Sequence, residues 1–285
     1  MNEASPRAIL DDLLARAQEI RTPCGAGEMI WRVWGDMGSP ALVLLHGGFG
    51  AWNHWVRNIP ALEDRYRVIV PDLPGCGDSA DPHEPYDAAS LSAILSDGLD
   101  AALPADAPFD LVSFSFGGVL SGPIAQAQSG RIASLTIVGT PILGLTTTGP
   151  ANELVSVPAE LPPDEAAPLY RSNLQKLMVH YPDVIDGLAM TLHVENMAKT
   201  RLRSRGIARR TIAADALQNP PCRLNFIYGD GDVTLHPDMD TIRARVETIQ
   251  PGAAFHVIPD TGHWVQFEAA ARFNALLKQL LVQAG

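Results

Sequence analysis

No run of apolar residues in this 285-residue chain approaches the length of a membrane span. The N-terminal stretch MNEASPRAILDDLL is acidic and lacks the apolar core of a secretory leader. Cysteine is scarce: Cys24, Cys76 and Cys222 are odd in number and far apart, without disulfide or metal-ligand spacing. A reducing cytoplasm is therefore the expected compartment. Positive charge is short as well, with 21 Lys and Arg against 32 Asp and Glu and a net charge of −11. That balance argues against nucleic acid and against an anionic membrane surface. Neither a G-x-G-x-x-G nor a P-loop lysine follows any glycine turn, so a nucleotide cofactor is not expected, nor is a metal. No repeat or low-complexity tract is visible. What remains is a globular chain long enough for one large α/β domain with an insertion, acting on a small molecule, alone or as a homo-oligomer.

The apolar pattern alternates between strands and helices. Residues 5–20 have helical spacing, with Ser5 as cap and Pro6 in the first turn. Strands are expected at Met29–Trp34, Ala41–Leu45, Tyr66–Val70, Phe109–Ser115, Leu135–Val138, Arg223–Tyr228 and Phe255–Ile258. Helices are expected at 88–103, 117–129 and 265–283, with another opened by Pro237. Strands that are apolar throughout and alternate with helices imply a mostly parallel, doubly wound sheet covered on both faces. Between about 142 and 215 no strand appears. Prolines and helical stretches at 169–180 and 183–209 fill it, with arginines at 201, 203, 205, 209 and 210. The expected organisation is an α/β core of residues 1–141 and 216–285, with 1–22 an added N-terminal helix. An α-helical cap of 142–215 would be inserted over the strand ends.

The chemistry gathers at those ends, where open parallel sheets bind ligands. Ser113-Phe114-Ser115-Phe116-Gly117-Gly118 lies between a strand and a helix, with small residues two before and two after Ser115. That fits a nucleophile elbow, with Ser113 in place of the usual first glycine. A serine nucleophile needs a base held in one tautomer by a third group. His263 follows the last strand and is the expected base. Asp232, in the turn Gly229-Asp230-Gly231-Asp232, is preferred over Asp230 as its partner. The order Ser…Asp…His is that of the α/β-hydrolase arrangement. The backbone N–H of Phe116 and one from the loop His46-Gly47-Gly48-Phe49-Gly50, Gly48 before Phe49, would form an oxyanion hole. His46 would brace that loop by hydrogen bonding. Phe49, Trp52, Trp55, Phe114, Phe116 and Trp264 are candidates for an apolar pocket or for core. His180 and His193 are lesser candidates to face it.

HGGFG, DLPGCGDS, SFSFGG, YGDGD and TGHW, in this order, resemble the α/β-hydrolase superfamily from about residue 25 onward. Two stretches are similar to the meta-cleavage-product hydrolases, which cut carbon–carbon bonds in ring-fission products. These are Gly262-His263-Trp264-Val265-Gln266-Phe267-Glu268 with Phe273-Asn274, and Trp55-Val56-Arg57-Asn58-Ile59. The resemblance implies that Arg57 and a cap arginine hold a substrate carboxylate. Where that family has Gly-Asn before the serine, this chain has Ser113-Phe114. The expected activity is serine hydrolysis of a small, partly apolar carboxylic ester or related acyl compound. Carbon–carbon hydrolysis by the same triad is the alternative, and a non-catalytic ligand receptor the third reading.

Overall fold

The structure is a computed structural model that describes residues 4–140, 154–158, 160–208, 212–235 and 238–282. Helix α1 (Pro6–Arg16) is capped by Ser5, whose Oγ accepts from Ala8 N at 3.2 Å. It ends at Arg16, so the helix expected through residue 20 is too long. Strand β1 (Gln18–Cys24) takes over and pairs antiparallel with β2 (Gly27–Trp34) through a two-residue turn in which Gly25 has φ 56°. The spacing of Ile20 suits a helix on the page. In the fold its period is two: Thr22 and Cys24 point inward, Thr22 accepts the Trp31 indole N–H at 2.8 Å, and Glu19 and Arg21 face solvent.

Strand β3 (Ala41–Leu45) leads through a 3₁₀ turn (Trp52–Trp55) and the short α2 (Ile59–Leu62) to β4 (Arg67–Pro71). Then come α3 (Ala88–Ala102), β5 (Phe109–Phe114), α4 (Phe116–Ala127) and β6 (Ile132–Val138). A capping box between Asp87 and Ser90 starts α3. Between β6 and β7 the described chain is helical: α5 (Pro163–Leu177), α6 (Gly187–Lys199), α7 (Ser204–Ala208) and α8 (Ile212–Ala216). The single helix expected over 183–209 is thus broken. Thr200 leaves the helical conformation at the end of α6, and residues 201–203 are in neither helix nor strand before α7. The expected start of the cap at 142, and Arg209 and Arg210, lie outside the described residues. Helix α8 packs on α4 so closely that a Cβ on Gly122 would stand 2.9 Å from Ala213 O. The chain closes with β7 (Arg223–Gly229), α9 (Met239–Ile249), β8 (Ala254–Ile258), α10 (Val265–Glu268) and α11 (Ala270–Val282). Pro237 lies outside the described residues, and Asp238 caps α9 through Thr241 N at 2.7 Å.

The eight strands form one sheet in the order β1-β2-β4-β3-β5-β6-β7-β8. β2 pairs antiparallel with β1 and β4, and every other neighbour is parallel. Strand alternation feeds two cores. Val43 and Leu45 face α3, α4 and α9 through Leu91, Leu95, Leu120, Ile124 and Val246. Leu42 and Leu44 face the other layer, with Leu10, Leu13, Trp55, Phe267, Phe273 and Leu277. The N-terminal helix belongs to this second core: Leu13 O accepts the Trp34 indole N–H at 2.8 Å. No helix among the described residues is long and apolar enough to cross a membrane.

Candidate active site

The parallel strands point their C-terminal ends to one edge, and the loops there converge. Ser115, between β5 and α4, has φ 50° and ψ −113°, a strained conformation for a residue with a side chain. It is held by backbone bonds: Ser115 N donates to Val138 O at 2.9 Å, and Ser115 O accepts from Gly118 N and Thr140 Oγ1. The small residue at 118 is required by space, because a Cβ there would lie 2.0 Å from Thr140 Oγ1.

His263, after β8, puts Nε2 2.9 Å from Ser115 Oγ. Its Nδ1 lies 2.9 and 3.0 Å from the two carboxylate oxygens of Asp232. Both side chains are buried. Thr234 completes the group: its N–H and hydroxyl donate to Asp232 Oδ1 at 2.8 and 2.7 Å, and its Oγ1 is 3.2 Å from His263 Nδ1. The competing Asp230 is exposed and instead accepts from Thr261 N, bracing the loop that carries the histidine. Gly139, at the end of β6, underlies the pair with φ 53°. A Cβ there would stand 3.2 Å from His263 Nδ1 and 3.3 Å from Asp232 Oδ2. Thr234 and Gly139 carry no sequence signal of their own: Thr234 follows the Gly229–Asp232 turn and Gly139 ends β6, and both fold against His263.

Two turns meet on the other side of Ser115. Phe116 occupies the first position of α4, where an N–H has no intrahelical acceptor. Among the described residues Gly48 N–H makes no backbone hydrogen bond. Beside it Phe49 has φ 54°. His46 braces the turn: Nδ1 donates to Gly47 O at 2.8 Å, which leaves Nε2 to accept from Leu73 N at 2.9 Å. Burial holds its pKa below that of a free imidazole, in keeping with this neutral tautomer. Asp72, at the end of β4, accepts from Trp52 N and from the buried Arg32 guanidinium, each at 2.8 Å.

A cavity of about 530 Å³ opens above these turns. Gly48, Phe49 and His54 form its floor, and Val155, Val157, Leu177, Met178, Met197 and Leu202 make its wall largely apolar. His193 also lines it, and burial pushes that imidazole down to about 4. Phe114 and Trp264 stand behind the wall. Phe114 packs on the His263 ring at 4.9 Å between centroids, and Trp264 on His54 at 5.0 Å. Arg57 is elsewhere. Its guanidinium donates to Phe267 O and Asp186 and lies 3.8 Å from the Phe267 ring centre, so it is not free to hold a substrate carboxylate. Asn58 and Asn274 complete this junction, donating to Gln266 O and Arg57 O respectively. The two stretches that resemble the carbon–carbon hydrolases are therefore packed on each other. Among the described cavity residues Arg203 offers a guanidinium, whereas Arg201 is committed to Asp81, Lys199 O and Ser79 O.

The helical segment is tied to the loop that carries His263. The Glu268 carboxylate accepts from Gly262 N at 2.7 Å and from His180 N and Tyr181 N at 3.0 Å, while Trp264 N donates to Met178 O at 2.6 Å. His180 therefore packs against the loop, away from the cavity. Among the described residues no group of three or more His, Cys, Asp or Glu is arranged to hold a metal ion.

A mostly parallel sheet with a serine at a strand–helix elbow and an imidazole from the last strand on its hydroxyl defines a hydrolase of the α/β type. The chain belongs to the Alpha/beta hydrolase family, which it matches over residues 42–276. It is 31% identical over 271 residues to a 2-hydroxy-6-oxononadienedioate/2-hydroxy-6-oxononatrienedioate hydrolase of Paraburkholderia phymatum, covering 86% of this chain and 88% of that one. It is also 31% identical over 258 residues to the dihydrolipoyllysine-residue acetyltransferase component of the acetoin cleaving system of Pseudomonas putida, covering 86% of this chain and 64% of that one. Among solved structures, a thermophilic esterase from Thermogutta terrifontis shares the fold with a TM-score of 0.72. The identity is 23%, with 94% of this chain and 99% of that one covered.

Proposed function

We propose that the protein is a serine hydrolase of small, partly apolar acyl compounds, carboxylic esters foremost. One observation carries the reading: the 2.9 Å contact between Ser115 Oγ and a His263 whose other nitrogen is held by Asp232, next to the Gly47–Phe49 turn that opens on a mainly apolar cavity. His263 Nε2 takes the hydroxyl proton as Ser115 Oγ attacks the carbonyl carbon. Asp232 fixes the tautomer and stabilises the imidazolium. The N–H groups of Gly48 and Phe116 receive the negative oxygen. Return of the proton to the leaving group gives an acyl-enzyme, which water, deprotonated by His263, then releases. Replacement Ser115→Ala is expected to lower kcat on p-nitrophenyl butyrate by about 10⁴-fold or more, with an unchanged circular-dichroism spectrum. Turnover at the parent rate would remove Ser115 from the mechanism.

A second reading has its own support. The Paraburkholderia phymatum relative is named for action on a dienedioate, and Arg203 stands at the cavity as a cation suited to a substrate carboxylate. On that reading the same triad cleaves a carbon–carbon bond of a vinylogous diketo acid, and Arg203→Gln raises KM for the acid while sparing a neutral ester. Comparing kcat/KM for a ring-fission dienoate with that for the ester decides between the two.

A further inference from the structure

The oxyanion turn is bare on the side that faces the cavity, and a residue from the helical segment stands there instead. A Cβ built on Gly48 would lie 2.9 Å from Ser204 Oγ, 3.6 Å from Phe116 Cβ and 3.7 Å from Ser204 Cβ. Gly48 is not in the left-handed region, so its lack of a side chain answers to space and not to backbone conformation. Ser204 is 4% exposed and lines the cavity. Its hydroxyl thus crowds the site a residue-48 side chain would take, and that site lies in turn 3.6 Å from Phe116 Cβ.

The segment before Ser204 is pinned to the core. Arg201 N and Leu202 N both donate to Gly75 O, at 2.8 and 3.1 Å. The Arg201 guanidinium is held by Asp81 Oδ1 and by Ser79 O. Leu202 is buried against Gly75, where an added Cβ would lie 3.2 Å from the Leu202 Cβ. Residues 201–204 therefore form a fixed strap across the turn after β4, and the position of the hydroxyl follows from it. Among the described residues no hydrogen bond engages Ser204 Oγ. An oxygen carrying full negative charge accepts up to three hydrogen bonds, and two backbone N–H groups leave room for one more.

We infer that Ser204 is a third donor to the acyl oxygen, supplied by the helical segment in place of a side chain at position 48. The inference rests on Ser115 being the nucleophile. The hydroxyl keeps its proton and donates a hydrogen bond as the carbonyl becomes tetrahedral, so it acts on kcat more than on KM.

The test is a set of variants assayed with p-nitrophenyl butyrate and with a fluorophosphonate, whose P=O oxygen occupies the same hole. Ser204→Ala is expected to lower kcat by about 10- to 100-fold with little change in KM, and to slow phosphonylation of Ser115 in parallel. Removing Ser204 Oγ leaves ordinary contact distances around a Cβ at position 48. The double variant S204A/G48S therefore returns a hydroxyl to the same place and should regain most of the loss, whereas S204A/G48A should not. A structural defect in α7 would not be repaired from position 48. Parent-like kcat and labelling in S204A, or equal rates for the two double variants, overturn the inference while Ser115→Ala stays inactive. An active Ser115→Ala overturns the underlying reading instead.

Discussion

At the scale of single residues, the site depends as much on atoms that are missing as on those present. Gly139 lies beneath the His263–Asp232 pair in a left-handed conformation, with less than ordinary contact distance for a methyl. Gly139→Ala is expected to cost about 1–2 kcal/mol in backbone strain. It should also lower kcat more than tenfold by pushing the imidazole off Ser115. Urea unfolding and steady-state kinetics on one preparation measure both, and parent-like kcat would show that the pair is not seated on Gly139. The triad candidates were legible from chain order and turn chemistry because each follows an apolar strand. The choice of Asp232 over Asp230 has a plain cause in the fold. Two residues further along the turn, the backbone has curled back and Thr234 can lock the carboxylate from behind. Arg57 was expected at the substrate only because the stretch around it resembles the carbon–carbon hydrolases; its partners, Asp186 and Phe267, are remote in sequence and leave no local mark of its engagement.

At the scale of elements, continuous apolar runs announce themselves, and so the seven strands β2 to β8 are readable, with ends off by a few residues. β1 was lost because it contains only one β-branched aliphatic residue, and its one-sided alternation is short and follows a helix without a glycine stop. The break between α6 and α7 was lost because it is made by tertiary contacts of 201–202 with Gly75, which leave no local mark. Seating of the helical segment on the core also relies on such contacts. Asn53 and Asn196 exchange two buried side-chain hydrogen bonds, at 3.0 and 2.8 Å, joining the 3₁₀ turn to α6. Asn53→Ala leaves the Asn196 amide buried without that partner and should cost about 2–3 kcal/mol. The double replacement N53A/N196A should cost less than the sum of the two single ones. Additive losses in urea titrations would mean the pair is not coupled.

At the scale of the whole molecule, the burial of imidazoles makes stability depend on pH. Burial lowers the pKa of His46, takes His54 well below the usual value and brings His193 to about 4. In the unfolded chain each would titrate near the ordinary value of about 6.5. Below that pH the unfolded state binds more protons than the native one, so stability falls as pH drops from about 6.5 toward 4. The slope reaches about 1.4 kcal/mol per pH unit for each histidine that is still neutral when folded. Urea-derived stabilities across this window should decline steeply, and the decline should soften in a His193→Gln variant. A flat profile from pH 6.5 to 5 would contradict the buried neutral state.

The Glu268 carboxylate holds the His263 loop and the 178–181 connection in one knot. Length changes there would drag the His263 ring off the Ser115 hydroxyl, so on the proposed function variation that preserves turnover must leave that corner alone. Residues 154–157, Arg203 and Gly206 line the cavity and take no part in the hydrogen bonds of the knot. They are the positions at which the enzyme can drift toward new substrates while the His263–Ser115 contact stays inherited.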